Sequence, residues 1–332
     1  MLQIALKAVN RWRKIYHLQR QGKHLLAHRD NTAQAPYNEK PRVSAIVQLF
    51  NKRRNIEPIV AGLLKPSIEE IIVIDDGSND GALDILPRLL TGKNHFIIRS
   101  NDLFEIRTYS RALDFARGEI VALLQDDDIP PPDGAWVTEA VDLFDRHPKL
   151  AVLGGRDGLE LKLKHAQSSG QSPNPITYKA VNQRDGQRID LPFRFVEVIN
   201  RAPMLVRRQT IQQLGGIDNA FAPFQCDDVD LCLRAWKGGF QVGLYPTAFV
   251  RDVGMGGMRL FNAEKMGPQS AKNWRIIYDR YGQDIANGFF TARVAEMFVS
   301  PQAEIENQHH FRAAVNPVVT LPESAKATVT NR

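Results

Sequence analysis

Short apolar runs alternate with helix-forming segments through most of this 332-residue chain, and this alternation limits the fold more than any other feature. The runs Val43–Phe50 (VSAIVQLF), Ile71–Ile74 and 119–125 (EIVALLQ) are nearly continuous in apolar residues, as in strands that are covered on both faces. Helix patterns lie between and after these runs, over residues 56–64, 81–90, 105–117 and 136–146. This order predicts a mostly parallel sheet flanked by helices, which is an α/β fold.

The pattern is weaker in the second half of the chain. Residues 155–190 are polar and contain Gly, Ser and Pro, and we expect them to form a mobile excursion without regular structure. A strand is predicted from Phe193 to Val206, a helix from Cys226 to about Gly238, and a late strand from Gln241 to Val250.

The net charge of +6 belongs to the N-terminal arm. Residues 1–29 hold seven basic residues and no acidic one, whereas the rest of the chain has 36 basic and 37 acidic residues. A basic nucleic-acid groove through the body is therefore excluded, and no nucleic-acid partner is expected. The apolar residues of the arm recur at helical spacing, at Leu2, Leu6, Val9, Trp12 and Tyr16. Two interpretations stay open: this helix packs its apolar stripe on the body, or it lies on an anionic membrane surface.

Two further features bear on the compartment. Cys226 and Cys232 are the only cysteines and are expected to point to different faces, which excludes a disulfide scaffold and indicates a reducing compartment. No uncharged apolar run approaches the ~18 residues that a membrane span needs. We therefore expect a cytoplasmic protein, placed on the inner face of the membrane if the arm binds lipid.

Two acidic blocks follow predicted strands. Asp75 and Asp76 end one run, and Asp126, Asp127 and Asp128 end another. Ligands of parallel sheets bind at the carboxyl ends of the strands. Three adjacent carboxylates repel one another unless a proton or a cation compensates. In an extended segment the first and third would point to one side together, as a pair suited to Mg²⁺ or Mn²⁺. The alternative is a solvated acidic turn.

A third acidic block opens a predicted helix. Asp227, Asp228 and Asp230 lie where acidic side chains cap a helix and interact favourably with its dipole, which is the structural interpretation. The functional interpretation is a general base that removes a proton from an acceptor hydroxyl.

In this order and at these spacings, the blocks resemble the family 2 inverting glycosyltransferases, which have the GT-A fold. The resemblance covers about residues 41–255. It is carried by VSAIVQLFN, IIVIDDGSND, SRALDFARGEIVALLQDDD and GGIDNAFAPFQCDDVDLCLRAWKGGFQVGLYP. It implies a mostly parallel sheet flanked by helices, with a Rossmann-like nucleotide-binding half and an acceptor-side half, followed by a helical C-terminal extension.

With this resemblance the chain divides into five segments. We expect a basic amphipathic helix over 1–29, a linker over 30–41, and a GT-A glycosyltransferase domain over 42–260. A helical C-terminal extension over 261–314 and a disordered tail over 315–332 complete the chain.

The resemblance also implies the donor site. Asp75 and Asp76 would contact the nucleoside, beside Phe50 and Asn51 at the end of the first strand.

The implied metal site lies in the second block. Asp126 and Asp128 match the D-x-D motif that holds a divalent cation, Mg²⁺ or Mn²⁺, and Asp126 and Asp127 are expected among the nucleotide-sugar contacts. Gln125 stands where many members carry the first Asp, and on that register Asp127 supplies the ligand. Many metal-using members also have a late His, which the corresponding stretch lacks; Asp252 is a candidate substitute.

For the base, the resemblance implies Asp228, with Asp227 as the second candidate. Arg107 is the candidate diphosphate contact, although many members keep an Arg where Tyr109 stands. The implied activity is transfer of a sugar from a nucleotide-diphosphate sugar to a glycan or lipid-linked acceptor hydroxyl, in cell-surface polysaccharide or glycolipid synthesis.

Three other functions were weighed. A non-catalytic, membrane-held nucleotide-sugar-binding or scaffold protein of the same fold stays as the alternative. A sugar-1-phosphate nucleotidyltransferase would need a glycine-rich loop after the first strand, but residues 51–55 (NKRRN) contain no glycine. A dinucleotide-dependent dehydrogenase is disfavoured because no G-x-G-x-x-G follows that strand.

Overall fold

The fold is that of a computed structural model, which describes residues 2–27, 37–164, 175–182, 193–201, 203–252 and 263–297. The predicted tail (315–332), and most of the predicted linker (30–41), lie outside the described residues.

The predicted α/β architecture is confirmed, with a mostly parallel central sheet of eight strands. Its first half is parallel and has the strand order β3-β2-β1-β4. These strands are β1 (Val43–Leu49), β2 (Glu70–Asp75), β3 (His95–Arg99) and β4 (Ile120–Gln125). Helices cover both faces, so the near-continuous apolar runs of β1, β2 and β4 are buried throughout their middle residues.

The second half of the sheet continues from β4 in the order β11-β6-β12-β9. These strands are β6 (Leu150–Gly154), β9 (Arg194–Phe195), β11 (Met204–Arg207) and β12 (Gln241–Leu244). Strand β11 runs antiparallel to both β4 and β6, so it is a reversed strand between two strands that run in the same direction.

Alternate residues of the strands supply two apolar cores. Ile46 and Ile72 face one core, and Ala45 and Val47 face the other. The helices that connect the strands close these cores. They are α2 (Arg53–Leu63), α3 (Ala82–Leu89), α4 (Phe104–Phe115), α5 (Ala135–Arg146), α6 (Arg208–Gln213) and α7 (Asp227–Lys237). A 3-10 turn spans Asn219–Phe221.

The prediction of a mobile excursion over 155–190 was wrong for residues 157–163 and 176–182, which form strands, whereas residues 165–174 and 183–190 lie outside the described residues. Strand β7 (Asp157–Leu163) pairs antiparallel with β8 (Ile176–Asn182) and with β10 (Val198–Asn200). Leu159 and Leu161 are buried in the larger core. The alternation in DGLELKL is the period-2 signal of a half-buried strand, and the polar composition of the surrounding residues obscured it.

The single strand predicted from Phe193 to Val206 was also wrong. It is divided among β9, β10 and β11, and β10 belongs to the three-stranded sheet rather than to the central one. A separate two-stranded ribbon pairs β5 (Asp128–Ile129) with β13 (Val250–Arg251). The late strand therefore ends at Leu244, and its predicted last residue belongs to this ribbon.

Helix α1 (Leu2–Ala27) packs one face on α2. Ile15 is buried there, and a Cβ added to Gly22 would lie 2.7 Å from the Cα of Pro58. Trp12 and Tyr16 are 70% and 54% exposed on the outer face. The C-terminal helices are α8 (Ala263–Ala286) and α9 (Phe289–Glu296).

Among the residues that the structure describes, none of the helices combines the length and the apolar character that crossing a bilayer requires.

Candidate active site

The sheet brings the first two acidic blocks to one edge. Strand β1 pairs in parallel with β2 on one side and with β4 on the other, so all three carboxyl ends are neighbours. The register places Leu49 opposite Asp75 and Gln48 opposite Gln125. The edge is therefore the candidate ligand site, as expected for a parallel sheet.

The two acids of the first block have different surroundings. Asp76 accepts hydrogen bonds from the Ser100 hydroxyl (2.9 Å) and from the backbone N–H groups of Leu103 (2.9 Å) and Phe104 (2.8 Å). It therefore anchors the start of α4. Among the residues that the structure describes, Asp75 accepts a hydrogen bond only from the Ser78 N–H, at 3.3 Å to each carboxylate oxygen. Its oxygens have acceptor capacity left, which makes it the better nucleoside contact of the two.

The loop after β1 ties the two blocks together. The backbone N–H of Phe50 donates to Asp126 Oδ2 at 2.7 Å. Asn51 has a left-handed backbone (φ +53°), donates its N–H to the Ser78 hydroxyl at 2.9 Å, and accepts the Asn79 N–H at 2.8 Å. Phe50 and Asn51 thus lie beside the acids as predicted. Their backbone N–H groups make two of these three contacts, and the Asn51 side chain makes the third.

The chain turns at Asp126 and Asp127, so the alternation that grouped Asp126 with Asp128 does not apply here. Asp128 begins the short ribbon strand and accepts the Gln125 N–H at 3.2 Å. Burial, and then the charge of Asp127, raises the pKa of Asp126 well above its usual range and the pKa of Asp128 to about 7. In the described part of the chain, three or more His, Cys, Asp or Glu side chains nowhere converge as a metal site.

A guanidinium occupies the centre of the second block. Arg251 donates from Nε to Asp127 Oδ2 at 3.0 Å and from Nη2 to Gln125 Oε1 at 2.9 Å. The ribbon pairing sets it opposite Asp128. Asp252, the candidate substitute ligand, accepts both Nε (2.8 Å) and Nη2 (2.6 Å) of Arg54. Asp127, Gln125 and Asp252 fit a divalent cation poorly, because Arg251 and Arg54 already hold them, whereas Asp126 and Asp128 accept backbone N–H groups.

The third block is organised by a buried arginine. The Arg201 side chain is 3% exposed and bonds to Asp227 through Nη2 and to Glu105 through Nη1. Its backbone N–H donates to Asp228 Oδ2 at 3.2 Å, and the Val229 N–H donates to Asp228 Oδ1 at 2.9 Å. Asp228 therefore has backbone donors in place of an ion pair, which leaves it the stronger candidate for the base.

Asp230 has a structural role. It accepts Arg234 Nε at 2.6 Å, the Tyr281 hydroxyl at 2.7 Å and Arg280 Nη1 at 2.9 Å. These contacts join α7 to α8 and leave the acid fully buried.

Burial raises the pKa of Asp228, and the charge of Asp227 raises it further, while Arg201 opposes both. The pKa of Glu105 is raised to about 7, first by burial, and the charges of Asp228 and Arg251 both act on it. Glu105, at the start of α4, is joined to the third block through Arg201, which also bonds to Asp227. A carboxylate with a raised pKa is a more effective proton acceptor near neutral pH.

Three further residues of the candidate site escaped the sequence analysis: Glu105, Arg201 and Arg251. Arg201 follows β10 with no motif around it, and its guanidinium lies 4.5 Å from the centre of the Tyr109 ring. Tyr109 is buried and donates its hydroxyl to the Leu124 carbonyl at 2.6 Å, so Arg201 supplies positive charge beside it. Arg107 is exposed on α4 and makes no hydrogen bond or ion pair with the residues described here.

The sheet order and the edge described above define a GT-A glycosyltransferase fold. The solved structure of GalNAc-T7 with UDP, GalNAc and Mn²⁺ matches with a TM-score of 0.56 at 13% identity, over 82% of this chain and 54% of that one. Staphylococcus aureus TarS (residues 1–349) matches with a TM-score of 0.46 at 17% identity, over 63% of this chain and 60% of that one. The mannosyltransferase PcManGT from Pyrobaculum calidifontis, in complex with GDP-Man and Mn²⁺, matches with a TM-score of 0.46 at 16% identity. This match covers 94% of this chain and 92% of that one.

Residues 44–201 match the model of the family described as Glycosyl transferase family 2. The resemblance seen in the sequence is thereby confirmed. Two Bacillus subtilis (strain 168) proteins are similar. TuaG, a glycosyltransferase assigned to teichuronic acid biosynthesis, is 35% identical over 95 residues, 27% of this chain and 38% of that protein. The glycosyltransferase EpsH is 30% identical over 100 residues, which are 29% of this chain and 28% of that protein. The chain thus matches about a third of the length of these curated relatives.

Proposed function

We propose that this protein is an inverting glycosyltransferase that moves a sugar from a nucleotide-diphosphate sugar to an acceptor hydroxyl. One observation carries the proposal. Asp76 at the sheet edge accepts the Phe104 N–H, and the next residue, Glu105, bonds to Arg201, whose backbone N–H donates to Asp228 in the third block. A donor diphosphate at the sheet edge and a base at the start of α7 therefore belong to one site.

The donor side is formed by the first two blocks. Asp75 accepts hydrogen bonds from the nucleoside, next to the loop of Phe50 and Asn51. The family match supports a nucleotide-sugar donor, and the GalNAc-T7 structure contains UDP in the same fold. The family resemblance predicts a divalent cation, Mg²⁺ or Mn²⁺, at the second block, although Arg251 and Arg54 leave the side chains there a poor fit for one. Asp126, Asp127 and Asp128 would be its carboxylates, and its chemistry would be to offset charge on the diphosphate.

On the acceptor side, Asp228 removes the proton as the acceptor oxygen attacks the anomeric carbon opposite the diphosphate. The bond from the anomeric carbon to the diphosphate oxygen breaks, and its electron pair leaves with the diphosphate. Arg201 holds Asp227 and Glu105 so that Asp228 is the carboxylate without an arginine partner. Inversion follows from the single displacement.

The acceptor is proposed to be a glycan or a lipid-linked sugar of cell-surface polysaccharide or glycolipid synthesis. The similarity to TuaG supports this class. The outer face of α1 supports a lipid-linked acceptor, because Val9, Trp12 and Tyr16 are exposed there beside the basic residues Arg13 and Arg20. A helix with this composition binds an anionic leaflet through both its apolar and its charged groups.

The test is a screen of nucleotide sugars against the full chain, with release of the nucleoside diphosphate as the readout. Asp228→Asn is the inactive reference. Asp279→Asn is the matched control, since Asp279 is an exposed acid on α8 that pairs with Arg275 four residues earlier. Turnover in the wild type and the control, but not in Asp228→Asn, supports the proposal. Nucleotide-sugar binding without turnover by the wild type would favour the scaffold alternative.

A further inference from the structure

We infer that the guanidinium of Arg251, rather than a divalent cation, neutralises the diphosphate of the donor. The inference rests on the proposed function, since it assigns a residue to the diphosphate of that donor. The family resemblance predicts a metal-binding motif at the second acidic block, but the structure has the Arg251 side chain there.

The position of Arg251 is fixed by backbone pairing. Strand β13 pairs antiparallel with β5, with Val250 opposite Ile129 and Arg251 opposite Asp128. The Asp252 N–H also donates to the Asp127 carbonyl at 2.8 Å. These contacts hold the backbone of Arg251 against the turn at Asp126 and Asp127. The Arg251 side chain is therefore within hydrogen-bonding distance of the second acidic block.

The side chain then bridges two residues of the motif. Nε lies 3.0 Å from Asp127 Oδ2 and Nη2 lies 2.9 Å from Gln125 Oε1. On the register that places the metal ligand at Asp127, the guanidinium thus occupies the position of the cation. A metal ion would first have to displace it and would then lie beside a second positive charge, which is unfavourable.

The neighbouring side chains suit the single positive charge of the Arg251 guanidinium better than the double charge of a metal ion. Gln125 offers a neutral amide where a metal motif would offer a carboxylate, and Asp252 is held by Arg54. Asp127 Oδ2 accepts the Arg251 Nε–H, and Asp127 Oδ1 is buried with no hydrogen-bond partner in the described part of the chain.

Arg251 retains donors for a diphosphate. A guanidinium has five N–H groups in a planar fork, and the two bonds to Gln125 and Asp127 use two of them. The remaining N–H groups have no partner among the described residues. Guanidinium forks bind phosphate oxygens in a bidentate manner and keep their charge at any pH at which proteins fold. Arg251 can therefore stabilise the charge that develops on the diphosphate as the sugar leaves.

Calorimetric binding of UDP and GDP to the full chain, once in EDTA and once in MnCl₂, tests the inference. We expect the wild type to bind one of these diphosphates with the same affinity in both buffers. Arg251→Gln should weaken that diphosphate about 10- to 100-fold in EDTA, because a charged hydrogen bond is lost, and leave the affinity for the corresponding nucleoside unchanged. The matched control is Arg146→Gln, an exposed arginine on α5 that pairs with Asp142.

Wild-type binding that disappears in EDTA and returns with Mn²⁺ would overturn the role of Arg251, and this arm needs no variant to fold. Equal affinity of wild type and Arg251→Gln for the diphosphate would overturn it as well. Absence of binding by the wild type to either diphosphate in both buffers would instead contradict the proposed donor, and with it this assignment.

Discussion

Arg201 contacts the adjacent acids Asp227 and Asp228 through different groups. Its guanidinium bonds to Asp227, and its backbone N–H donates to Asp228. One carboxylate is therefore neutralised by an ion pair, and the other is held in place by dipoles alone. The arrangement separates a structural acid from a candidate base within two consecutive residues. It explains why a helix can begin with a buried acid, Asp227, and a half-buried acid, Asp228, and still keep the second able to accept a proton.

Asp228→Asn should lower kcat by about 10²- to 10⁴-fold, because general-base catalysis is lost while size and helix capping are kept. Donor binding, measured by calorimetry, should be unchanged. A variant that turns over near the wild-type rate would show that Asp228 only caps α7, and Asp279→Asn supplies the matched surface control.

Arg201→Leu should reduce the free energy of unfolding by about 3–5 kcal/mol, because Asp227 and Glu105 lose their buried counter-charge. Urea denaturation measures the change. Adding Glu105→Gln to Arg201→Leu should restore part of the loss, since one uncompensated carboxylate is removed. Arg275→Leu breaks an exposed pair on α8 and should cost about 0.5 kcal/mol or less. An effect of Arg201→Leu as small as this control would contradict the buried network.

The pH dependence of kcat/KM follows from the raised pKa of Asp228. A base works only when deprotonated, so activity should fall as the pH drops through that pKa, above the value of 3.8 for an ordinary Asp. The acid limb should be absent from the residual activity of Asp228→Asn. Its persistence there would assign the limb to another group, such as Asp128, whose pKa is raised to about 7.

The two acids of the first block should respond differently to substitution. Asp76→Ala removes three hydrogen bonds at the start of α4 and should lower the free energy of unfolding by about 1–3 kcal/mol. Asp75→Asn should leave stability nearly unchanged and weaken nucleotide binding. Thermal melts and calorimetry of both variants test this division, and the reverse pattern would contradict it.

Helix α1 should have two separable roles. Trp12→Ser with Tyr16→Ser removes exposed aromatic side chains and should reduce co-sedimentation with phosphatidylglycerol vesicles without lowering the melting temperature. Ile15→Ser alters the face packed on α2 and should lower the melting temperature. Wild-type vesicle binding should also weaken with salt, because charges are screened over ~8–10 Å. Equal vesicle binding by the wild type and the double variant would contradict a membrane role.

The N-terminal half of the sheet was predictable from local pattern. The apolar runs of β1, β2 and β4 are longer and more continuous than half-buried strands allow, so they could only be central parallel strands. The carboxyl ends of neighbouring parallel strands lie at the same edge of a sheet, so the strand pattern predicts that Asp75 and Asp126 lie close together. The hairpin of β7 and β8 was predictable in principle, from the alternation in DGLELKL, but its polar surroundings concealed it.

The amino-acid sequence by itself determined the fold class and the three acidic blocks, because periodicity and strand-end chemistry are properties of neighbouring residues. Only the tertiary structure decided what each acid does. Arg201 reaches Glu105 across 96 positions of the chain, and Arg251 reaches Asp127 across 124. Such pairs leave no local pattern, since they depend on which strands pair and in which register. The tertiary structure therefore placed arginines at two of the three acidic blocks and left Asp228 with backbone donors.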